Sequence, residues 1–144
     1  MPFRDTSAGY MTNLAARLFA RAVDDSLRDL GVSAGYLPVY FALSDGAALT
    51  QTALAKAAVI EQPTMAATLT RMERDGLIQR RPDPDDGRSA LISLTPSALK
   101  KARAVENAVR TVNQRALAAL SEKERAAYMA SLEAIVRALQ GAGD

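Results

Sequence analysis

The side chains with the most distinctive chemistry lie between positions 62 and 88. Gln62 carries an amide that both donates and accepts hydrogen bonds, and Thr64 offers a hydroxyl and a methyl group. Arg80, Arg81 and Arg88 cluster around the turn-forming sequence PDPDDG. A side-chain amide can make paired hydrogen bonds to a flat polar edge, and arginine pairs well with phosphate or carboxylate. These residues therefore predict polar recognition.

Composition disfavours most catalytic and metal chemistry. The chain of 144 residues contains no cysteine and no histidine, which removes thiol nucleophiles, disulfides, thiolate metal sites and histidine general bases. A hydrolase built from Ser, Asp and Lys is a formal alternative without a local motif. A calcium loop counted from Asp83 would place Arg88 sixth and Leu94 twelfth, which does not fit. We expect no enzyme activity, no cofactor and no metal.

The overall charge permits nucleic-acid binding without requiring it. The formal net charge is +2 and the isoelectric point is about 9.1. The N-terminus lacks the apolar run of a signal peptide, and no stretch is long and apolar enough for a membrane span. We therefore expect a cytoplasmic protein without a membrane partner, built as a single domain over 1–144.

Helical periodicity predicts two elements before the polar cluster. A long helix follows an apolar stripe over 10–30 and stops at Gly31. A second helix begins at the cap Ser33 and continues to position 43, with a bend expected at Pro38.

The polar cluster itself falls on a pair of helices and a hairpin. Thr50 is a suitable N-cap for a short helix over 51–58, and Pro63 suits the first turn of a fourth helix that ends at Gly76. The apolar stripe of the fourth helix is formed by Met65, Leu69 and Met72. The segments LIQRR and RSALISL, on either side of PDPDDG, predict a β-hairpin.

Two more helices follow the hairpin. Thr95 and Pro96 provide an N-cap and a first-turn proline, and Ser121 with Glu124 forms a capping box for the last helix. The apolar stripes of the outer helices exceed what one small lobe can cover. We therefore expect the helices over 8–32 and 96–140 to form a dimerisation base.

Three helices followed by a hairpin over 33–95 is the order of a winged helix-turn-helix, in which the second helix of the pair enters the DNA major groove. The predicted fold class is mainly α with a small β-hairpin. Helix capping is the simpler interpretation of Gln62 or Thr64 alone, and a solvated turn is the simpler interpretation of the charge cluster. Together they favour DNA contact, with Asp86 pairing with a nearby arginine to fix its direction. The expected DNA-binding residues are Gln62, Pro63, Thr64, Ala66, Ala67, Thr70, Arg74, Arg80, Arg81, Asp86 and Arg88.

The segment over 49–95 resembles the core of the MarR family of bacterial regulators. The matching motifs are L-T-Q-x-x-L-A at 49–55, Q-P-T at 62–64, R-x-E-x-x-G-L-I-x-R at 71–80, and D-x-R at 86–88 with L-T at 94–95. The flanking helices match the family in pattern only.

This resemblance implies a homodimer that presents two winged lobes to a pseudo-palindromic operator in double-stranded DNA. Family members are commonly repressors of transcription, often released by a small aromatic or phenolic effector bound between the dimer base and the DNA-binding lobe. The resemblance assigns Asp86 and Arg88 to the wing's aspartate and minor-groove arginine. Candidates for the effector site, with ordinary packing as the alternative, are Tyr10, Arg17, Tyr36 and Tyr40.

Four positions depart from the family pattern. Gly87 stands where a second arginine is common, Ala67 where a basic or polar residue is common, and Glu61 where a small N-cap is usual. Val59 stands where glycine is frequent, so a positive φ there would strain this β-branched residue. We interpret these changes as altering the target sequence or the affinity. The alternative function, favoured by the weak net charge and acidic wing tip, is a winged-helix protein-interaction module without DNA binding.

Overall fold

The computed structural model describes residues 1–141, which are mainly helical with one β-hairpin, as predicted. Two compact units are present: the first is Met1–Val109 and the second begins at Arg110. The α-helices are α1 (Phe3–Thr6), α2 (Ala8–Leu27), α3 (Leu37–Leu43), α4 (Gln51–Ala58), α5 (Gln62–Arg74), α6 (Pro96–Ala116) and α7 (Glu122–Gly141). The strands are β1 (Ile78–Asp83) and β2 (Asp86–Leu94), and short 3₁₀ helices occupy Arg28–Leu30 and Ala34–Tyr36.

The long first helix begins slightly before its predicted start. The Ser7 hydroxyl caps α2 by accepting a hydrogen bond from the Tyr10 amide at 3.3 Å. At the other end a 3₁₀ turn leads into Gly31, whose φ of 70° ends the helix as predicted. Periodicity does not predict α1, because its four residues are too few to show a pattern.

The loop after Gly31 is capped differently from the prediction. Ser33 makes no side-chain cap hydrogen bond, whereas the Asp24 carboxylate accepts one from the Ala34 amide at 2.6 Å. The predicted Ser33 cap is wrong because a carboxylate from the preceding helix reaches the same end. Pro38 lies in the first turn of α3, after a separate 3₁₀ turn, where its missing N–H breaks no helical hydrogen bond.

The helix pair α4 and α5 is anchored to the hairpin through the core. The Thr50 hydroxyl caps α4 by accepting from the Ala53 amide at 3.1 Å, which confirms the predicted cap. Leu49, just before this cap, exchanges two backbone hydrogen bonds with Ile92 of β2, at 3.0 and 2.7 Å. These bonds hold the start of α4 against the second strand. The fully buried side chains beneath the two helices include Leu54, Met65, Leu69, Met72 and Ile92.

The hairpin strands extend further into the acidic turn than predicted. The register pairs Ile78 with Leu94 and shifts after Pro82, so that Asp83 lies opposite Asp86. The carboxylates of both aspartates accept hydrogen bonds from backbone amides two residues later, at 2.9 and 3.0 Å. These local bonds organise the loop, leaving only two residues between the strands.

The predicted caps of the last two helices are confirmed. The Thr95 hydroxyl accepts a hydrogen bond from the Ala98 amide at 3.2 Å and donates one to the Gly76 carbonyl at 2.7 Å. Ser121 and Glu124 form the reciprocal capping box, with distances of 3.0 and 3.2 Å. The hydrogen bonds from the backbone and hydroxyl of Ser121 lower the pKa of Glu124. Along α7 no residue is buried.

Val59 adopts the left-handed conformation, at a position where glycine is frequent in the family pattern. It follows α4 with φ 54° and ψ 48°, and its side chain is 74% exposed. The left-handed region costs an L-residue about 1–2 kcal/mol, and the extra freedom of unfolded glycine costs about 0.5–1 kcal/mol. We expect Val59→Gly to raise the free energy of unfolding by about 0.5–1 kcal/mol, measured by urea denaturation.

A matched control is Ala57→Gly, in the exposed last turn of α4. This substitution should lower the free energy of unfolding by up to about 1 kcal/mol, because it adds glycine at a right-handed helical position. A Val59→Gly protein less stable than the parent would contradict the strain at this turn.

Candidate nucleic-acid interface

Helix α5 has one buried face and one exposed polar face. Met65, Leu69 and Met72 are fully buried, and Thr68 is 6% exposed. The opposite side exposes small or polar side chains next to the hairpin, with Ala66 half-buried at its edge. The exposed residues are Gln62, Pro63, Thr64, Ala67, Thr70 and Arg74.

The start of α5 presents backbone N–H groups and one positioned amide. Glu61 is the N-cap but makes no side-chain cap hydrogen bond. The first-turn N–H groups therefore keep their partial positive charge toward an incoming anion. The Gln51 side-chain Nε2, at the start of α4, donates a hydrogen bond to Gln62 Oε1 at 3.1 Å.

The end of α5 is linked to the segment before α3. Asp75 accepts hydrogen bonds from Arg74 Nε at 3.0 Å and from the Tyr36 hydroxyl at 2.7 Å. Both lower the pKa of Asp75, with Arg74 contributing most. Burial, reinforced by the hydrogen bond to Asp75, raises the pKa of Tyr36. Arg74 is thus an exposed cation whose direction is set by its neighbour.

The hairpin carries three cations in different settings. All three are exposed, and Arg80 also pairs with Glu73 of α5, with Nε and Oε2 3.4 Å apart. Asp86 accepts hydrogen bonds from the Arg88 backbone amide at 3.0 Å and the Ser89 hydroxyl at 3.2 Å. No ion pair joins Asp86 to an arginine within residues 1–141.

The predicted contact of Asp86 with a guanidinium is therefore wrong. Its short side chain instead reaches the main chain two residues later, as aspartate commonly does in turns. Asp86 fixes the backbone from which Arg88 projects, without holding the Arg88 side chain.

The four candidate effector residues are in contrasting environments. Tyr36 and Tyr40 are buried, and their hydroxyls donate to Asp75 and to the Ala98 carbonyl. Burial raises the pKa of Tyr40. Tyr10 and Arg17 are exposed on α2.

A cavity of about 350 Å³ lies beside Tyr36. Its other lining residues are Asp24, Arg28, Gly31, Val32, Ser33 and Asp75.

Three site residues were missed by sequence reasoning. Gln51, Glu73 and Asp75 each contact a predicted site residue on another element or at a helix end. Gln51 and Glu73 lie inside the quoted family motifs, but their partners depend on how helices and strands pack. A search for polar residues at the starts of adjacent helices would have found Gln51.

Two classes of feature are absent from the described part of the chain. Residues 1–141 contain no group of three or more Asp or Glu side chains arranged to hold a metal ion. Among the same residues, no helix combines the length and apolar character needed to cross a bilayer.

Known proteins resemble this chain in sequence and in fold. The family model described as MarR family matches residues 41–90. The HTH-type transcriptional regulator YwoH of Bacillus subtilis is 27% identical over 119 residues, covering 83% of this chain and 86% of YwoH. The HTH-type transcriptional repressor NicR of Pseudomonas putida is 28% identical over 102 residues, covering 71% of this chain and 65% of NicR.

Solved structures show the same architecture over most of the chain. A probable transcriptional regulator from Pseudomonas aeruginosa has a TM-score of 0.83 at 27% identity, covering 91% of this chain and 98% of that one. The MepR chain in the S. aureus MepR–DNA complex has a TM-score of 0.77 at 28% identity, with coverage of 92% and 98%. The fold is therefore that of the winged-helix regulators. The match over residues 41–90 and the shared fold make the chain similar to the MarR family.

Proposed function

We propose that this protein is a homodimeric, sequence-specific DNA-binding repressor of transcription. The observation that carries the proposal is the exposed polar face of α5, which lies beside a hairpin bearing Arg81 and Arg88. A helix with small side chains on one face can enter the major groove, and flanking arginines can reach phosphates or the minor groove.

The interface divides into residues that read bases and residues that contact the DNA backbone. Gln62 and Thr64, at the exposed start of α5, would contact base edges, where glutamine can bond adenine and threonine can contact a thymine methyl. The uncapped N–H groups of the same turn would bind a phosphate. The remaining proposed contacts come from Pro63, Ala66, Ala67, Thr70, Arg74, Arg80, Arg81, Asp86 and Arg88.

Exposed apolar residues on the outer helices support a homodimer. Leu18 on α2 is 54% exposed, and Val136 and Leu139 on α7 are 51% and 71% exposed. Burying such residues against a second copy would remove apolar surface from water. The proposed dimer is built from the helices over 8–32 and 96–140, with the lobe over 33–95 free to bind DNA.

Repression with release by a small aromatic effector completes the proposal. Repression is supported by the similarity to NicR, whose name describes it as a repressor. The cavity beside Tyr36 supports the effector, because a ligand there would meet the hydrogen bond that ties Tyr36 to Asp75, next to α5. Candidate aromatic acids should release operator DNA in a mobility-shift titration, and Tyr36→Phe should change the concentration required.

A mobility-shift assay separates DNA binding from the alternative of a protein-interaction module. The wild type should bind random duplex DNA at low salt, and bind a selected operator more tightly. Gln62→Ala or Thr64→Ala should weaken operator binding far more than random binding, by about 1–3 kcal/mol per lost contact. If the wild type bound neither DNA, the protein-interaction module would be supported. Equal losses of affinity on both DNAs would mean that Gln62 and Thr64 only stabilise the helix.

The hairpin gives a separate prediction, because replacing Arg88 and replacing Asp86 should weaken DNA binding for different reasons. Arg88→Ala should weaken DNA binding and reduce the slope of log affinity against log salt by about one unit. Asp86→Ala should also weaken binding, although it removes a negative charge, because the Arg88 backbone amide and the Ser89 hydroxyl lose the acceptor that organises the turn.

The two outcomes are measured by salt titration of operator affinity. Thermal stability should change little in either variant, because both side chains are exposed. Tighter binding by Asp86→Ala would contradict the organising role and favour a purely repulsive aspartate.

A further inference from the structure

A hydrogen bond between two glutamines joins the starts of α4 and α5. Gln51 and Gln62 are the first residues of their helices, and Gln51 Nε2 donates to Gln62 Oε1 at 3.1 Å. Gln51 is half-buried and Gln62 is exposed. The contact therefore joins a side chain held in the protein to one that faces solvent.

We infer that Gln51 is a positioning residue, which orients the Gln62 amide so that it reads adenine in the major groove. This inference rests on the proposed function, because it assigns a specificity mechanism to the same interface.

The chemistry of the amide supports the inference. The Gln62 oxygen has two lone pairs, so accepting a hydrogen bond from Gln51 leaves one for the amino group of adenine. Within the described chain, no protein group accepts a hydrogen bond from Gln62 Nε2, which can donate to adenine N7. A bidentate contact requires both atoms to face the base edge together. In the observed arrangement, the Gln62 oxygen lies toward Gln51 and Nε2 is left to donate.

The same hydrogen bond also preorganises the Gln62 side chain. A free glutamine side chain loses considerable rotamer freedom when it is immobilised against a base. The bond from Gln51 restricts Gln62 before DNA arrives, so less freedom is lost on binding. This gain in affinity applies only where Gln62 contacts its base, so affinity for random DNA should change little.

The test is a double-mutant cycle on operator and random duplexes. Gln51→Ala should weaken operator binding by about fivefold to twentyfold and change random binding by less than about twofold. In the Gln62→Ala background the same substitution should have almost no effect. Gln79→Ala is the matched control, because it also removes an exposed glutamine that contacts another side chain, Ser93, on the hairpin.

Gln51→Glu tests the orientation of the Gln62 amide separately from any structural role of Gln51. A carboxylate can only accept, so it would turn Gln62 to donate from Nε2 and direct its oxygen elsewhere. We expect the preference for adenine to fall when four operators, differing only at the base pair read by Gln62, are compared. Because the ratio among operators is measured, the uniform repulsion from the added charge cancels.

The possible results distinguish a wrong inference about Gln51 from a wrong proposed function. Additive losses in the cycle, or equal losses on operator and random DNA, would show that Gln51 acts independently of Gln62 and overturn the inference. Wild-type behaviour of both Gln51 variants, with Gln62→Ala still losing specificity, would overturn the inference alone. Failure of the wild type to bind any duplex would overturn the proposed function as well.

Discussion

Replacing Ala67 by glutamate is expected to weaken operator binding by at least about a hundredfold, since like charges across an interface cost several kcal/mol. Ala67 is exposed on α5, on the face proposed to enter the groove. A carboxylate there would lie between the phosphate backbones without a cation to neutralise it. Glutamate is a good helix former, so the fold should be retained.

Ala67→Gln is the matched control for this substitution. Glutamine has nearly the same size and no charge, and should reduce affinity by less than about tenfold. Fluorescence anisotropy on the operator measures both variants, with circular dichroism confirming their helicity. Equal affinities for the two variants would place Ala67 outside the interface.

A second large effect is expected from charges on the exposed apolar stripe of α7. The double substitution Ile135→Glu with Leu139→Glu adds two charges at side chains that are 46% and 71% exposed. It should convert the dimer to a monomer at micromolar concentration and lower operator affinity by about 10²–10⁴-fold, because two linked half-sites become one. Analytical ultracentrifugation and anisotropy measure the two effects.

The control adds the same charges on the opposite side of the helix. Ala130 and Ala134 are exposed on α7, and helical periodicity separates them from the apolar stripe. Glutamates at both positions should leave a dimer with nearly unchanged affinity. A monomeric control, or a dimer that survives charges on the stripe, would contradict the proposed role of α7.

The sequence predicted helix ends well where a single residue or turn determines them. The caps at Thr50 and Thr95 and the capping box at Ser121 depend on residues within the same turn, and all three are confirmed. A left-handed Val59 was one possibility at a position that often holds glycine, and the structure shows it. These features require no knowledge of tertiary packing.

The sequence could not predict contacts between residues that are distant along the chain. Asp24 replaces Ser33 as the cap because α2 ends close to the following turn, which its periodicity does not reveal. The link from Tyr36 to Asp75 and the pairing of Arg80 with Glu73 also depend on tertiary packing.

The candidate site shows the same division between residue identity and residue contact. The exposed face of α5 follows from helical periodicity, because burial of Met65, Leu69 and Met72 determines the opposite side. The partner of Gln62 could not be predicted, because Gln51 is eleven positions away on another helix. Sequence thus identifies candidates, and packing determines how they are held.

Selection of bound sequences from a random duplex pool would show whether a homodimer reads DNA through α5. We expect enrichment of a pseudo-palindrome whose half-sites are about 10–10.5 base pairs apart, the spacing of recognition helices that enter successive major grooves about 34–36 Å apart. The substitution Ala67→Glu should remove the enrichment. A pool without enrichment, or a single unrepeated half-site, would contradict a homodimer that reads DNA through α5.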